Sequence, residues 1–206
     1  MADFARDLAA FVDALELERP IVAGSSLGGA IAAQFALDHP GRSAALVIGH
    51  TVPYLDGLAR EWLDEQIAAV REGRPAIARQ PPSSPDEAEG PPTTDPAFAA
   101  SDVGRLVASV GTGIGRTAED RVKALEAFRA WDQRPRYPEL ARMDVPALVI
   151  VGEREPRTTV ALAREWHAAM RRADFVILPG AHHAAHRELP LAWNLAVDGF
   201  LRRNHS

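Results

Sequence analysis

A short apolar run that ends in a glycine- and serine-rich turn constrains the fold of this chain more than any other stretch. Residues 21–24 read Ile-Val-Ala-Gly, Ser-Ser-Leu-Gly-Gly follows, and small apolar residues then continue at helical spacing. The pattern predicts a strand, a sharp turn and a helix, with Ser26 at the centre of a Gly-x-Ser-x-Gly motif. We expect positions 24 and 28 to require glycine, because a Cβ atom at Gly24 or Gly28 would clash where the strand and the helix approach closely. Ser26 is therefore a candidate nucleophile, exposed beside a helix N-terminus that favours a developing oxyanion.

Helical and strand patterns alternate on both sides of a different middle third. Helices are predicted at 3–17, 27–38, 159–172 and 191–202, and strands at 21–23, 44–48, 145–152 and 174–178. The apolar face of the first helix is predicted to consist of Phe4, Leu8, Phe11, Val12 and Leu15. Short buried strands separated by helices favour parallel pairing with right-handed crossovers. The predicted fold class is α/β, with a parallel sheet flanked by helices.

The middle third carries helical patterns and no convincing strand. Helices are predicted at 55–72, 102–110 and 118–131, whereas residues 75–96 contain seven of the chain's sixteen prolines and an acidic cluster. Such a composition predicts a poorly ordered loop. We expect residues 52–138 to form a helical insertion above a core built from residues 1–51 and 139–206.

Composition and charge narrow the classes of function. A net charge of −5 over 206 residues offers no basic excess for binding nucleic acid or an anionic membrane surface. No apolar stretch is long enough to span a membrane, and the acidic N-terminus does not resemble a signal peptide. The chain has no cysteine, and no suitably spaced carboxylates accompany the cluster of His182, His183 and His186, so neither a metal nor another cofactor is expected. We expect a cytoplasmic protein without nucleic-acid or membrane partners.

Two loops that follow predicted strands supply partners for the serine. A serine hydroxyl needs a base, and the base needs an acid that fixes its tautomer. Glu155 follows the strand at 145–152, and His183 follows the strand at 174–178. Carboxyl ends of parallel strands meet at one edge of a sheet, so these side chains are expected to converge. Glu153 is a competing acid that would point the other way if the strand geometry continued, and the choice stays open.

The chain resembles the C-terminal two-thirds of an α/β-hydrolase of the esterase, lactonase and carbon–carbon hydrolase type. The similarity rests on four segments. They are the helix at 7–15, the sharp turn around Ser26 at 24–29 (the nucleophile elbow), the strand before the acid at 145–153 and the histidine loop at 179–183. The resemblance implies that Ser26 is the nucleophile, His183 the base and Glu155 the acid. It also implies that the backbone N–H of Leu27 stabilises the oxyanion. The middle segment then resembles the family's cap, which usually shapes the substrate pocket.

The chain departs from the family pattern at three places. The family usually has aspartate at the position of Glu155 and glycine at that of His182. The family's strands before the elbow, whose loop supplies a second oxyanion donor, have no counterpart, so Leu27 is expected to be the remaining donor. The core is therefore expected to be incomplete, with a truncated or misassigned start as the simplest account. The elbow strand would become an exposed apolar edge, which predicts a homodimer, aggregation or a missing partner segment.

The implied activity is that of a serine hydrolase. It would cleave a small-molecule carboxylic ester or lactone with a small to medium apolar acyl group through an acyl-enzyme. Carbon–carbon bond hydrolysis and cofactor-free perhydrolysis use similar residues and stay open. The missing strands leave a further alternative open, in which a noncatalytic remnant serves as an interaction module.

Overall fold

The computed structural model describes residues 1–74, 94–111, 117–156 and 158–204. Within these ranges one sheet contains the four strands β1 (Ile21–Ser25), β2 (Ala45–Gly49), β3 (Ala147–Gly152) and β4 (Ala173–Leu178). All neighbouring strands pair in parallel, in the order β1-β2-β3-β4. The predicted parallel sheet is confirmed, and each predicted strand is present with shifted ends.

Helices precede β1, fill the connections between the strands and follow β4. They are α1 (Ala2–Ala14), α2 (Leu27–Asp38), α3 (Gly57–Arg71), α4 (Pro96–Ala100), α5 (Asp102–Gly111), α6 (Ala118–Arg129), α7 (Tyr137–Leu140), α8 (Val160–Ala169), α9 (Ala185–Glu188) and α10 (Pro190–Asn204). The long helices lie where the sequence predicts helices. The short helices α4, α7 and α9 were not predicted because one turn is too short to show a period. In the described part of the chain, no helix combines the length and the apolar character needed to cross a membrane.

Both faces of the sheet are covered by helices. One core contains Phe35 of α2 and Trp166 of α8, packed with residues of α1. The opposite core contains Phe200 of α10. Successive residues of β2 alternate between these cores, as the period of two requires, with Leu46 in the first and Val47 in the second. Burial on both faces explains why β2 and β3 read as unbroken apolar runs.

Helix α1 packs through smaller residues than its sequence pattern suggests. Ala5, Ala9 and Val12 are buried, whereas Phe11 and Leu15 are 57% and 54% exposed. Small side chains let α1 approach the alanine-rich α2 closely, and this contact sets the inward face. The prediction that Phe11 and Leu15 belong to the apolar core face is therefore wrong.

Strand β1 forms one edge of the sheet. Within the described residues its ladder joins it to β2 alone, and Ile21 is 40% exposed. The expected edge position of the elbow strand is confirmed. A homodimer through this edge stays a prediction.

Helices α3 and α6 pack against each other beyond the carboxyl ends of the strands. A separate apolar cluster there contains Val52, Leu55 and Leu63, with Leu125 and Phe128 against it. The division into a core and a cap at 52–138 stays a prediction. Most of the proline-rich loop, residues 75–93, lies outside the described residues.

The inward face of α1 can be tested with a pair of adjacent substitutions. Val12→Ala removes two methyl groups from a side chain that is 2% exposed, and it should lower the free energy of unfolding by about 1–3 kcal/mol. Phe11→Ala should change it by no more than about 0.5 kcal/mol, since this side chain lies largely in water. Urea unfolding followed by circular dichroism measures both values. A larger loss for Phe11→Ala would contradict the observed face.

Candidate active site

Ser26 occupies a strained turn between β1 and α2. Its φ is +57° and its ψ is −124°, a conformation that residues with side chains rarely adopt. The N–H of Ser26 donates to the Gly49 carbonyl at 2.8 Å, and the Thr51 hydroxyl donates to the Ser26 carbonyl at 2.6 Å. Gly49, the last residue of β2, and Thr51, two residues later, thus bind the N–H and the carbonyl of Ser26 and hold the turn in place.

Close packing requires two glycines around Ser26, and only one of them was predicted. A Cβ atom on Gly24 would lie 2.1 Å from the carbonyl oxygen of Gly28, which confirms that expectation. A Cβ atom on Gly28 itself would meet nothing within 4 Å, so the predicted clash at Gly28 is wrong. Gly28 presents its carbonyl to the strand, whereas its α-carbon faces open space. The second crowded position is Gly29, where a Cβ atom would lie 2.1 Å from Thr51 Oγ1.

Alanine substitutions at the two motif glycines should separate these roles. Gly24→Ala should lower the free energy of unfolding by about 1–3 kcal/mol or more, because it forces strand and helix apart. Gly28→Ala should leave the free energy of unfolding unchanged or raise it by up to about 1 kcal/mol, since alanine has a higher helix propensity than glycine. Thermal unfolding followed by circular dichroism compares the two. Equal losses for both variants would contradict the observed packing.

His183 and Glu155 meet in the loops that follow β4 and β3. His183 Nδ1 lies 2.5 Å from Glu155 Oε2. The Glu155 side chain is fully buried, and that of His183 is 20% exposed. Glu155 Oε1 accepts a hydrogen bond from the N–H of Thr158 at 3.3 Å. A carboxylate bound at Nδ1 holds the ring in one tautomer and leaves Nε2 as the basic nitrogen.

The competing acid Glu153 has a different position. Its Oε2 accepts a hydrogen bond from the N–H of Gly180 at 2.9 Å in an exposed contact. Glu188 acts similarly nearby, since its Oε2 accepts from the N–H of His182 at 3.0 Å. Both carboxylates brace the loop that carries His183. The structure therefore brings Glu155, and not Glu153, to the histidine.

Ser26 and His183 line the same cavity. Its apolar wall is formed by side chains from the segment after β2 and from α3 and α6: Val52, Leu55, Ala59, Trp62, Leu63 and Phe128. Leu27 lines an adjoining cavity together with Ser26. The N–H of Leu27 belongs to the first residue of α2, where no intrahelical acceptor exists. An apolar cavity with a few polar groups is typical of a small-molecule site.

His50 is a residue of this site that the sequence analysis missed. It follows β2 directly, is fully buried and has a φ of +46°. Its Nδ1 lies 3.6 Å from Glu155 Oε2, and its ring stacks on Trp193 with centroids 5.6 Å apart. The signal that points to His50 is its position beyond the carboxyl end of a buried strand. Each of the four strands of the described sheet is thus followed by one side chain of the site.

His50, Glu155 and His183 also form a group whose ligand atoms all lie within 4.8 Å of one another. Two ligands of a tetrahedral zinc ion lie roughly 3.3 Å apart, given Zn–N distances near 2.0–2.1 Å. The 2.5 Å between His183 Nδ1 and Glu155 Oε2 is instead a hydrogen-bond distance. The arrangement fits a shared proton better than a shared metal ion.

Comparison with known proteins identifies the fold family. The sequence model of a family described as the alpha/beta hydrolase family matches residues 1–194. The chain belongs to the alpha/beta hydrolase family. The resemblance inferred from its four motifs is therefore confirmed, as is the fold class.

Similar proteins include two curated relatives and many solved structures. A Bacillus subtilis protein, provisionally named 2-succinyl-6-hydroxy-2,4-cyclohexadiene-1-carboxylate synthase, is 28% identical, and the match covers 95% of this chain and 70% of that protein. 3-Oxoadipate enol-lactonase 2 of Acinetobacter baylyi is 26% identical, with 96% and 69% covered. The structure of an esterase from Thermogutta terrifontis has a TM-score of 0.77 at 22% identity, with 98% of this chain and 72% of that chain covered. This last similarity concerns the fold alone.

Proposed function

We propose that this α/β-hydrolase is a serine hydrolase that cleaves a carboxylic ester or lactone through an acyl-enzyme. The proposal depends mainly on the hydrogen-bonded pair of His183 and Glu155, which shares a cavity with Ser26. Family membership supports a hydrolase, and one similar protein is named an enol-lactonase. Ester and lactone carbonyls are acyl groups that such a serine attacks.

The proposed mechanism assigns one role to each group. Ser26 Oγ attacks the acyl carbon while His183 Nε2 takes the hydroxyl proton, and the N–H of Leu27 stabilises the oxyanion. Glu155 holds the tautomer of His183 and stabilises the imidazolium. The leaving oxygen takes the proton from His183 as the C–O bond breaks, which leaves an acyl-enzyme. Water, deprotonated by His183, then attacks the acyl carbon, and the acid product leaves as Ser26 recovers its proton.

The cavities favour an apolar acyl group. The cavity shared by Ser26 and His183 has apolar walls, whereas the adjoining one is also lined by Gln66 and Arg121. Since Ser26 lines both, the acyl and leaving parts of a substrate can occupy different cavities. We assign a small to medium apolar acyl group to the apolar cavity.

Covalent labelling tests the nucleophile. A fluorophosphonate probe should label the folded protein at Ser26, because an activated serine attacks phosphorus as it attacks an acyl carbon. Ser26→Ala should abolish labelling, and Ser25→Ala, which changes the neighbouring serine, should retain it. Intact mass and peptide mapping identify the site. Folded protein that takes up no label would contradict the proposal and favour a noncatalytic module.

Two glutamate substitutions test the acid. Glu155→Gln should lower kcat/KM for p-nitrophenyl butyrate by about 10²- to 10⁴-fold, since the neutral amide stabilises neither the tautomer nor the imidazolium. Glu153→Gln should stay within about threefold of the unsubstituted protein, because the amide oxygen can still accept the N–H of Gly180 in this exposed contact. Steady-state hydrolysis followed at 405 nm would measure both. Equal losses in both variants would contradict the assignment of Glu155.

A further inference from the structure

We propose that His50 is a positioning residue that donates its Nδ1–H to the Glu155 carboxylate and holds this acid between two imidazoles. The inference rests on the proposed function, because His50 would act through Glu155 in that same site. In this proposal His50 acts on Glu155 and not on the substrate. Its role is to fix the carboxylate that orients His183.

The carboxylate of Glu155 lies between the two histidines. Its Oε2 is 2.5 Å from His183 Nδ1 and 3.6 Å from His50 Nδ1. The longer distance exceeds a hydrogen bond, and a movement of about 0.5 Å brings it into range. Catalytic hydrogen bonds are often long without substrate and tighten when it binds. The longer side chain of glutamate, relative to aspartate, carries the carboxylate to this intermediate position.

The ring of His50 has a hydrogen-bonding capacity that the described residues do not use. Both ring nitrogens are buried, and neither has a hydrogen-bond partner among the described residues. An unsatisfied buried donor is costly, so such groups call for an explanation. Glu155 Oε2 is an acceptor within reach, and the ionised carboxylate is a stronger acceptor than a neutral group.

The backbone and the packing around His50 aim the ring at this site. The φ of +46° is strained for a residue with a side chain, and the N–H of His50 is bound to the Ile150 carbonyl at 2.9 Å. Trp193 stacks on the ring at an interplanar angle of 17°. The preceding Gly49 makes room for Trp193, since a Cβ atom there would lie 2.3 Å from the indole. Strain and tight packing together hold one ring orientation.

Three titratable groups face His50 from the neighbouring loops. Glu155 and His183 lie beside it, with the rings of His50 and His183 5.8 Å apart. His186 packs on the same indole, that of Trp193. Burial, followed by the positive charge of Arg187, lowers the pKa of His186 to about 4, so this ring brings no charge near neutral pH. Glu155 is therefore the acceptor that His50 meets.

The hydrogen bond has a consequence of defined sign for His183. A donor on Glu155 withdraws part of the negative charge that favours the His183 imidazolium. Removing the donor therefore raises the pKa of His183. The acid limb of the kcat/KM profile reports the loss of that proton in the free enzyme, so the limb moves to higher pH.

Three substitutions at position 50 isolate the donor. His50→Phe keeps a ring on Trp193 but has no N–H, whereas His50→Asn places an amide nitrogen near the position of Nδ1 and tolerates a positive φ. We expect His50→Phe to lower kcat by about tenfold with KM little changed and to move the acid limb to higher pH. His50→Asn should stay close to the unsubstituted protein in its kcat and in the pH of its acid limb. If the phenylalanine variant does not fold, His50→Gln replaces it, since its amide lies nearer the position of Nε2.

A titration without turnover separates this inference from the proposed function. Nuclear magnetic resonance of labelled histidine in the Ser26→Ala background follows the protonation of His183 directly. A higher pKa of His183 in His50→Phe than in His50→Asn and in the protein with His50 supports the hydrogen bond. This holds even if the unsubstituted protein hydrolyses no ester, and in that case only the proposed function fails. Identical titration in all three overturns the hydrogen bond, even where ester turnover supports the proposed function. An acid limb that moves equally in the Asn and Phe variants also overturns it.

Discussion

A fully buried carboxylate, that of Glu155, is the constraint on which the arrangement of the site depends. A charge removed from water destabilises the fold unless hydrogen bonds and opposite or polar groups compensate it. The N–H of Thr158 binds one oxygen and His183 binds the other. The loop after β4 must therefore lie over the end of β3. The carboxylate of Glu153 holds it there through the N–H of Gly180, and Glu188 stabilises the loop itself through the N–H of His182. Structural glutamates thus surround the one that contacts the histidine.

The ends of β1 and β2 carry backbone strain side by side. Ser26 and His50 both have positive φ, and both are bound through their N–H groups to the carbonyl of the next strand in the sheet. Strained residues persist where the surrounding structure determines them from several directions, and they concentrate at functional sites. At the elbow, the close packing at Gly24 and Gly29 and the hydrogen bond from the Thr51 hydroxyl keep the strained conformation in place. The serine is consequently held in place before any substrate arrives.

Much of the fold was predictable because its signals are local. The strands are short, mainly apolar runs, and helices such as α1 and α3 have an apolar period that appears within their own residues. The wrong predictions concern residues whose burial or crowding depends on a segment that is distant in the sequence. Phe11 and Leu15 looked like core residues, but the contact between α1 and α2 selects the alanines of α1. Gly28 looked crowded because of its place in the motif, whereas the strand meets its carbonyl and leaves its α-carbon open.

The same distinction applies to the site. The sequence by itself determined the α/β class, the elbow and the placement of Ser26, Glu155 and His183 beyond the carboxyl ends of strands, since apolar runs and turn residues are properties of short segments. The tertiary structure alone decided that Glu155 rather than Glu153 contacts His183, and that His50 adjoins the same carboxylate. Those contacts join residues that are 28 and 105 positions apart. They depend on how the ends of adjacent strands are aligned and on which way each side chain turns, and no local pattern encodes either.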